Sequence, residues 1–299
     1  MAHMVIRVLF AMLIGAQTVA AQDPVASLRE RVASRIAQVT GATVGVFFAE
    51  VGGGAMFALN PDSVFHAAST MKVPVMIEYF RGIDAGRISR DEDLLLGTTF
   101  TSIVDGSPYA LDAGVDSDSS VFGRVGQRVP LRWLIERMIV RSSNLATNTL
   151  IEVLDARKVD ATANSLGTTH MKVRRGVEDG KAFAAGLNNQ TSARDLAVLL
   201  EAIESGKAAS KQSSREMIDI LAAQEFNEEI PAGLPAGTRV AHKTGWITGV
   251  THDAAIVYPP GRKPYVLVVL TKGIRERPIA QKLIADISRL VWEGLVTGR

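Results

Sequence analysis

Strand-like alternation sits at both ends of this chain and helical periodicity fills the span between them, and this distribution constrains the fold more than any other feature. Ala42-Thr43-Val44-Gly45-Val46-Phe47-Phe48-Ala49 reads as a strand and Ala55-Met56-Phe57-Ala58-Leu59 as its hairpin partner, with Gly52-Gly53-Gly54 as the turn. Far downstream, Arg239-Val240-Ala241-His242-Lys243-Thr244-Gly245, then 253–258, then 265–270 read as further strands, the last two turning at Pro259-Pro260-Gly261. An amphipathic helix over 25–40 precedes this set and another over 279–295 closes it. Strands so distant in sequence share one sheet only if the helical middle is an excursion from it. The expected class is therefore α+β: a three-layer α/β/α lobe with an antiparallel sheet (22–66 and 230–299) and a helical lobe (67–229), together one catalytic unit with a pocket at the boundary.

The remaining composition narrows the setting. Arg7, the apolar run 8–14 and Val19-Ala20-Ala21 before Gln22-Asp23-Pro24 read as a signal peptide cut after Ala21, which predicts a periplasmic or secreted protein with no stable membrane association once cleaved. Met1-Ala2-His3 before Met4 reads as a cloning remnant. The chain has no cysteine, hence no disulfide or thiolate metal site. With 33 basic against 31 acidic residues, the net charge of +2 gives no electrostatic case for nucleic acid. His66, His242 and His252 lack ligand spacing and read as structural, since a zinc site needs three or four convergent ligands. A monomer is expected.

Three short strings carry the chemistry. In Ser69-Thr70-Met71-Lys72 a helix from Thr70 would place Lys72 one turn from Ser69, setting an amine beside a hydroxyl that needs a base to become a nucleophile. Burial and a neighbouring cation, for which Lys243 is the candidate, would lower the lysine's proton affinity. An ordinary helix start with a solvent-facing lysine would read the same way. Ser142-Ser143-Asn144 lies between helical patterns at 131–140 and 145–153, where Ser and Asn either aim into a cleft or simply cap the second helix. Lys243-Thr244-Gly245 ends a strand, presenting a cation and a hydroxyl to an anion while Gly245 lets the backbone approach closely; a surface lysine beside a strand-end glycine is the plainer alternative.

One Ser-x-x-Lys is weak evidence, but S-x-x-K, S-D-N and K-T-G in this order are the signature set of class A β-lactamases and penicillin-binding proteins. From about Gln22 to its C-terminus the chain resembles a class A serine β-lactamase. The resemblance implies a β-lactamase/transpeptidase-like fold and hydrolysis of a small-molecule β-lactam through a serine acyl-enzyme, with no metal or cofactor. It makes Ser69 the nucleophile, Lys72 a general base and Ser142 a proton relay to the β-lactam nitrogen. Asn144 would bind the substrate's side-chain amide, Lys243 and Thr244 its carboxylate, and the backbone N–H groups of Ser69 and Trp246, next to Gly245, would form the oxyanion hole. The same resemblance leaves room for a D,D-peptidase or penicillin-binding protein that deacylates slowly, or a non-catalytic penicillin-binding sensor.

Two positions depart from the pattern. Ser143 stands where the middle string has Asp. The loop expected to carry a catalytic Glu reads Val173-Arg174-Arg175-Gly176-Val177-Glu178-Asp179-Gly180-Lys181, in which Glu178 lies three residues after Arg175 and is followed four residues later by Ala182 where Asn is usual. Glu178 is the candidate deacylating base, with pairing to Arg174, Arg175 or Lys181 as the competing role and Asp179 as the other nearby carboxylate. Arg275 and Arg277 are positional candidates for a carboxylate-assisting arginine. The stretch 98–128 is long for a connection and reads either as a loop or hairpin over the cleft or as a mobile insertion.

Overall fold

The computed structural model describes residues 23–296. The expected signal peptide lies outside the described residues. Helix α1 (Pro24–Ala37) starts where Asp23 accepts the Val25 N–H at 3.0 Å and Pro24 occupies the first turn, which has no use for an N–H donor. Strands β1 (Thr43–Glu50) and β2 (Met56–Leu59) form the first hairpin. Its turn needs glycine: Gly52, Gly53 and Gly54 take φ of +78°, +91° and +145°, where a side chain is strained.

The chain then passes through a 3₁₀ turn (Ala68–Met71) into α2 (Lys72–Asp84), followed by α3 (Leu131–Val140), α4 (Asn144–Leu154), α5 (Ala156–Ser165), α6 (Ala193–Glu204) and α7 (Lys211–Ala222). It returns to the sheet as β3 (Arg239–Ile247), β4 (Val250–Tyr258) and β5 (Tyr265–Lys272), then ends in α8 (Arg277–Val291). The strands lie in the order β2-β1-β5-β4-β3, antiparallel throughout, with β1 and β5 in register as Val46 opposite Val269. The ends of the chain do share one sheet. The three C-terminal strands are longer than the alternation indicated, because β3 continues through Trp246 into a tight turn at Thr248-Gly249. Helix α8 begins two residues before its expected start, at Arg277, since Pro278 is tolerated in a first turn.

Both faces of the sheet are covered. Val46, Phe48, Leu267 and Val269 pack against Leu28 and Val32 of α1 and Leu283, Ile284 and Ile287 of α8. The alternate residues Phe47, Val266, Val268 and Leu270 face the helical middle, where α6 lies on the sheet. Burial on both sides explains why β1 and β5 read as near-continuous apolar runs. Helix α2 is buried from Lys72 to Phe80 and is packed by α4, α5 and α7.

The 98–128 stretch carries short elements of its own. Thr99–Thr101 pairs with Pro108–Ala110 in a small hairpin, and Ser119–Phe122 forms a helical turn capped by Asp118.

Candidate active site

The first wall is built on the start of α2. Thr70 donates through both its amide (3.1 Å) and its Oγ1 (2.6 Å) to the Ala67 carbonyl, closing the turn that presents Ser69 half-buried at the surface. Edge strand β3 lies directly against this turn. A β-carbon on Gly245 would stand 2.9 Å from the Ser69 nitrogen and 3.0 Å from the Thr70 nitrogen, so only glycine lets the strand come this close.

Behind Ser69, Lys72 and Lys243 are both fully buried and converge on one hydroxyl. Lys72 Nζ donates to Ser142 Oγ at 3.1 Å, to the Ser142 carbonyl at 2.7 Å and to Asn144 Oδ1 at 2.9 Å, while Lys243 Nζ donates to Ser142 Oγ at 3.0 Å and to the Thr244 carbonyl at 2.9 Å. Among the described residues Ser69 Oγ makes no hydrogen bond to Lys72; the lysine's three partners come from the α3–α4 turn. Burial and then the Lys243 charge hold the Lys72 amine well below its usual range, against Asp116 and Glu178, which pull the other way. Burial lowers Lys243 to about 7, opposed by Asp253 and Glu229.

The middle string divides its labour. Ser143 caps α4, its Oγ accepting the Ala146 N–H at 3.1 Å, while Ser142 and Asn144 on either side turn toward Lys72. Both sequence readings of that string are therefore realised, by different residues.

Glu178 forms the second wall. Its Oε1 accepts Asn144 Nδ2 at 2.5 Å, and it pairs with none of the three basic neighbours in its own loop. Two of them are engaged elsewhere: Arg175 donates to the carbonyls of Leu187 and Gly176 and to Asn188, and Lys181 binds Asp105 at 2.6 Å. Asp179 is spent on the loop itself, taking Ser102 Oγ, the Ile103 amide and the Ala182 amide. Asn148 of α4 pins the loop, accepting the Val177 N–H at 2.6 Å and donating to its carbonyl at 3.0 Å. A β-carbon on Gly176 would meet Asn148 Oδ1 at 2.3 Å, so a side chain there would displace the Asn148 amide that pins the loop. Burial foremost, with Asp116 and Asp112, raises the Glu178 carboxyl above its usual range, against the Asn144 bond and Lys72.

Backbone strain collects in this cleft. Of the five described non-glycine residues with positive φ, three are Ala68 (+45°), Ser142 (+58°) and Glu178 (+61°). Such conformations persist where the surroundings over-determine them, and they cluster at functional sites. Between the walls lies a cavity of about 400 Å³ bordered by Ser69, Asn144, Glu178, Phe183 and Trp246. Of the two candidate arginines, Arg277 lies 4.7 Å over the Trp246 ring and pairs with Glu229 at 3.4 Å, whereas Arg275 borders a separate surface recess. His242 is paired with Asp253 at 3.0 Å, and His252 and His66 are joined through the His66 carbonyl at 2.9 Å. Spacing alone pointed to neither Asn148 nor Asp116, because each acts on a turn remote from it in sequence.

An antiparallel sheet between helical layers, with a serine at a helix start and two buried lysines sharing a second serine, defines a serine hydrolase of the penicillin-interacting type. The profile of the Beta-lactamase enzyme family matches residues 27–295, and the chain belongs to that family. It is 29% identical to Beta-lactamase AST-1 of Nocardia asteroides over 261 residues, covering 86% of this chain and 80% of the relative. It is 25% identical to the carbapenem-hydrolyzing β-lactamase KPC of Klebsiella oxytoca, covering 88% of this chain and 87% of that one. Among solved structures, a point mutant of PBP-A, as its acyl-enzyme complex with penicillin G, superposes with a TM-score of 0.77 at 28% identity, over 91% of this chain and 97% of the other.

Proposed function

We propose that the chain opens β-lactams through an acyl-enzyme on Ser69 and then hydrolyses it, as an exported monomeric enzyme of antibiotic resistance that uses no metal or cofactor. The observation that carries this reading is the Ser142 hydroxyl held between two buried lysines, Lys72 at 3.1 Å and Lys243 at 3.0 Å, beside Ser69 and across from Glu178.

In acylation Ser69 Oγ attacks the lactam carbonyl and gives its proton to the neutral form of the Lys72 amine, in which Nζ gives up one of its three donated bonds and turns its lone pair to Ser69 Oγ as substrate binds. The N–H groups of Ser69 and Trp246 take the developing oxyanion; one such donor is typically worth about 10²–10³ in rate. As the C–N bond breaks, the ring nitrogen takes the Ser142 proton, which Lys72 replaces. Asn144 binds the substrate's side-chain amide, exchanging part of its contact with Lys72 and Glu178. Lys243 and Thr244 bind the carboxylate, with Arg277 nearer than Arg275 to that end of the cavity.

In deacylation Glu178 takes a proton from water as the water oxygen attacks the acyl carbonyl, and that proton passes on to Ser69 Oγ as the acyl bond breaks, freeing the serine and the opened acid. The raised proton affinity of the Glu178 carboxylate suits that work. The slow-deacylating reading stands second, supported by the likeness to PBP-A, a point mutant of which was solved as its acyl-enzyme complex with penicillin G. The α/β lobe (22–66 and 230–299) and the helical lobe (67–229) act as one unit, since the site takes residues from both. Intact-protein mass after mixing with a slow β-lactam tests the nucleophile: one drug mass is expected, mapping to the peptide holding Ser69 and absent from Ser69→Ala. An undiminished adduct on that variant sinks the mechanism.

A further inference from the structure

We propose that Asp116 is a positioning residue for acylation: carried by the 98–128 stretch, its carboxylate holds the Ser142–Asn144 turn and replaces, from a remote part of the chain, the aspartate that Ser143 displaces. This rests on the acyl-enzyme reading above. One oxygen, Asp116 Oδ2, accepts the Asn144 amide at 2.9 Å, the Leu145 amide at 2.8 Å and Ser143 Oγ at 3.2 Å. The first N–H groups of α4, which have no partner inside the helix, are thereby divided between Asp116 and the Ser143 cap. A negative charge also suits the positive end of the helix.

The next residue grips the other side of the same turn. Ser117 Oγ donates to the carbonyls of Arg141 at 2.7 Å and Ser142 at 3.0 Å. Ser142 sits at φ +58° and its carbonyl also receives Lys72 Nζ at 2.7 Å. Asp116 and Ser117 thus fix the strained residue whose hydroxyl both lysines share. Asp118 anchors the pair from below, lying 3.7 Å from Arg137 and 3.9 Å from Arg141.

Ser143 is fully buried with its Oγ 3.2 Å from the Asp116 carboxylate, so an aspartate at 143 would set two carboxylates against each other. The turn has room for one. Asp116 also acts through charge, raising the proton affinity of Lys72 and of Glu178; Lys243 opposes it at Lys72, and Asp112 adds to it at Glu178.

The test is a set of acylation rates against pH for wild type, Asp116→Ala, Asp116→Asn, Ser143→Asp and the Asp116→Ala/Ser143→Asp double variant, with melting curves for each. Asp116→Ala should acylate on the order of tenfold to a hundredfold more slowly with a smaller change in KM, as small misplacements of reacting groups do. Asp116→Asn keeps an acceptor for the two amides and should keep most of the rate, while its pH profile moves toward lower pH because Lys72 and Glu178 release protons more readily. Ser143→Asp should be harmful alone and restorative in the Asp116→Ala background. If Asp116→Ala does not fold, the pH shift of Asp116→Asn and the harm done by Ser143→Asp decide the matter. Unchanged acylation in Asp116→Ala, an unmoved profile in Asp116→Asn, or Ser143→Asp equally harmful in both backgrounds overturns this role alone. A wild type that never acylates overturns the underlying reading and this role with it.

Discussion

On one wall of the cleft, Ser69, Lys72, Ser142 and Lys243 ride on the start of α2, the α3–α4 turn and strand β3; on the other, Glu178 lies in an irregular stretch just before the short helix Gly180–Ala184. The first wall is held mainly by repeating backbone bonds and apolar packing, with the side chains of Asp116 and Ser117 added at the α3–α4 turn. The second is held by individual side chains: Asn148 on Val177, Asn189 on the Arg174 and Arg175 amides, and Asp179 on Ser102 and Ile103. In the proposed reaction, acylation draws on groups set largely by secondary structure, whereas deacylation draws on a residue placed by a few polar contacts. Few contacts mean that single substitutions can separate the two half-reactions.

The largest break in the first wall is Lys243→Ala, which should lower kcat/KM for a carboxylate-bearing β-lactam on the order of a hundredfold, about 2.7 kcal/mol of transition-state stabilisation. The pH dependence sharpens it. With Lys243 lowered to about 7, the free enzyme loses that cation as pH rises through neutrality, so kcat/KM for a carboxylate substrate should fall on that limb while a neutral ester analogue shows no such fall. If the ester lost as much as a penicillin did, the carboxylate role would be wrong.

Asn148→Ala should act on the second wall, removing both bonds to Val177 at a cost of about 1–3 kcal/mol in stability for the amide left unpaired. Deacylation should slow while the acylation burst persists; equal slowing of both steps would deny that the walls are held separately. Lys181→Ala should do least. Its 2.6 Å bond to Asp105 is exposed on both sides, so it should change stability by under about 1 kcal/mol and leave turnover within twofold, as steady-state assays and melting curves can check.

The sequence was most legible where geometry is local. Ser69 and Lys72 are three apart at one helix start, and alternation named the sheet strands within a few residues. Lys243 was expected to influence Lys72, and its charge does so, but its complete burial was not readable from a strand-end position. The bonds that complete the site span long separations, from Asp116 to the α4 amides and from Glu178 to Asn144. No periodicity encodes such pairs, because each partner is ordinary where it stands and only the tertiary fold brings them together. Glu178 pairs with Asn144 where an ion pair within its loop was the competing role, and two of its basic neighbours, Arg175 and Lys181, bond carbonyls and Asp105 instead.

Glu178→Gln provides the most direct test, with rapid mixing and intact mass read side by side on wild type and variant. The account predicts an unchanged acylation burst on Ser69, a fall in steady-state turnover of about 10²–10⁴-fold, the usual contribution of a general base, and accumulation of acyl-enzyme in the variant alone. Unchanged turnover in Glu178→Gln, or a wild type that already accumulates long-lived acyl-enzyme, would contradict it.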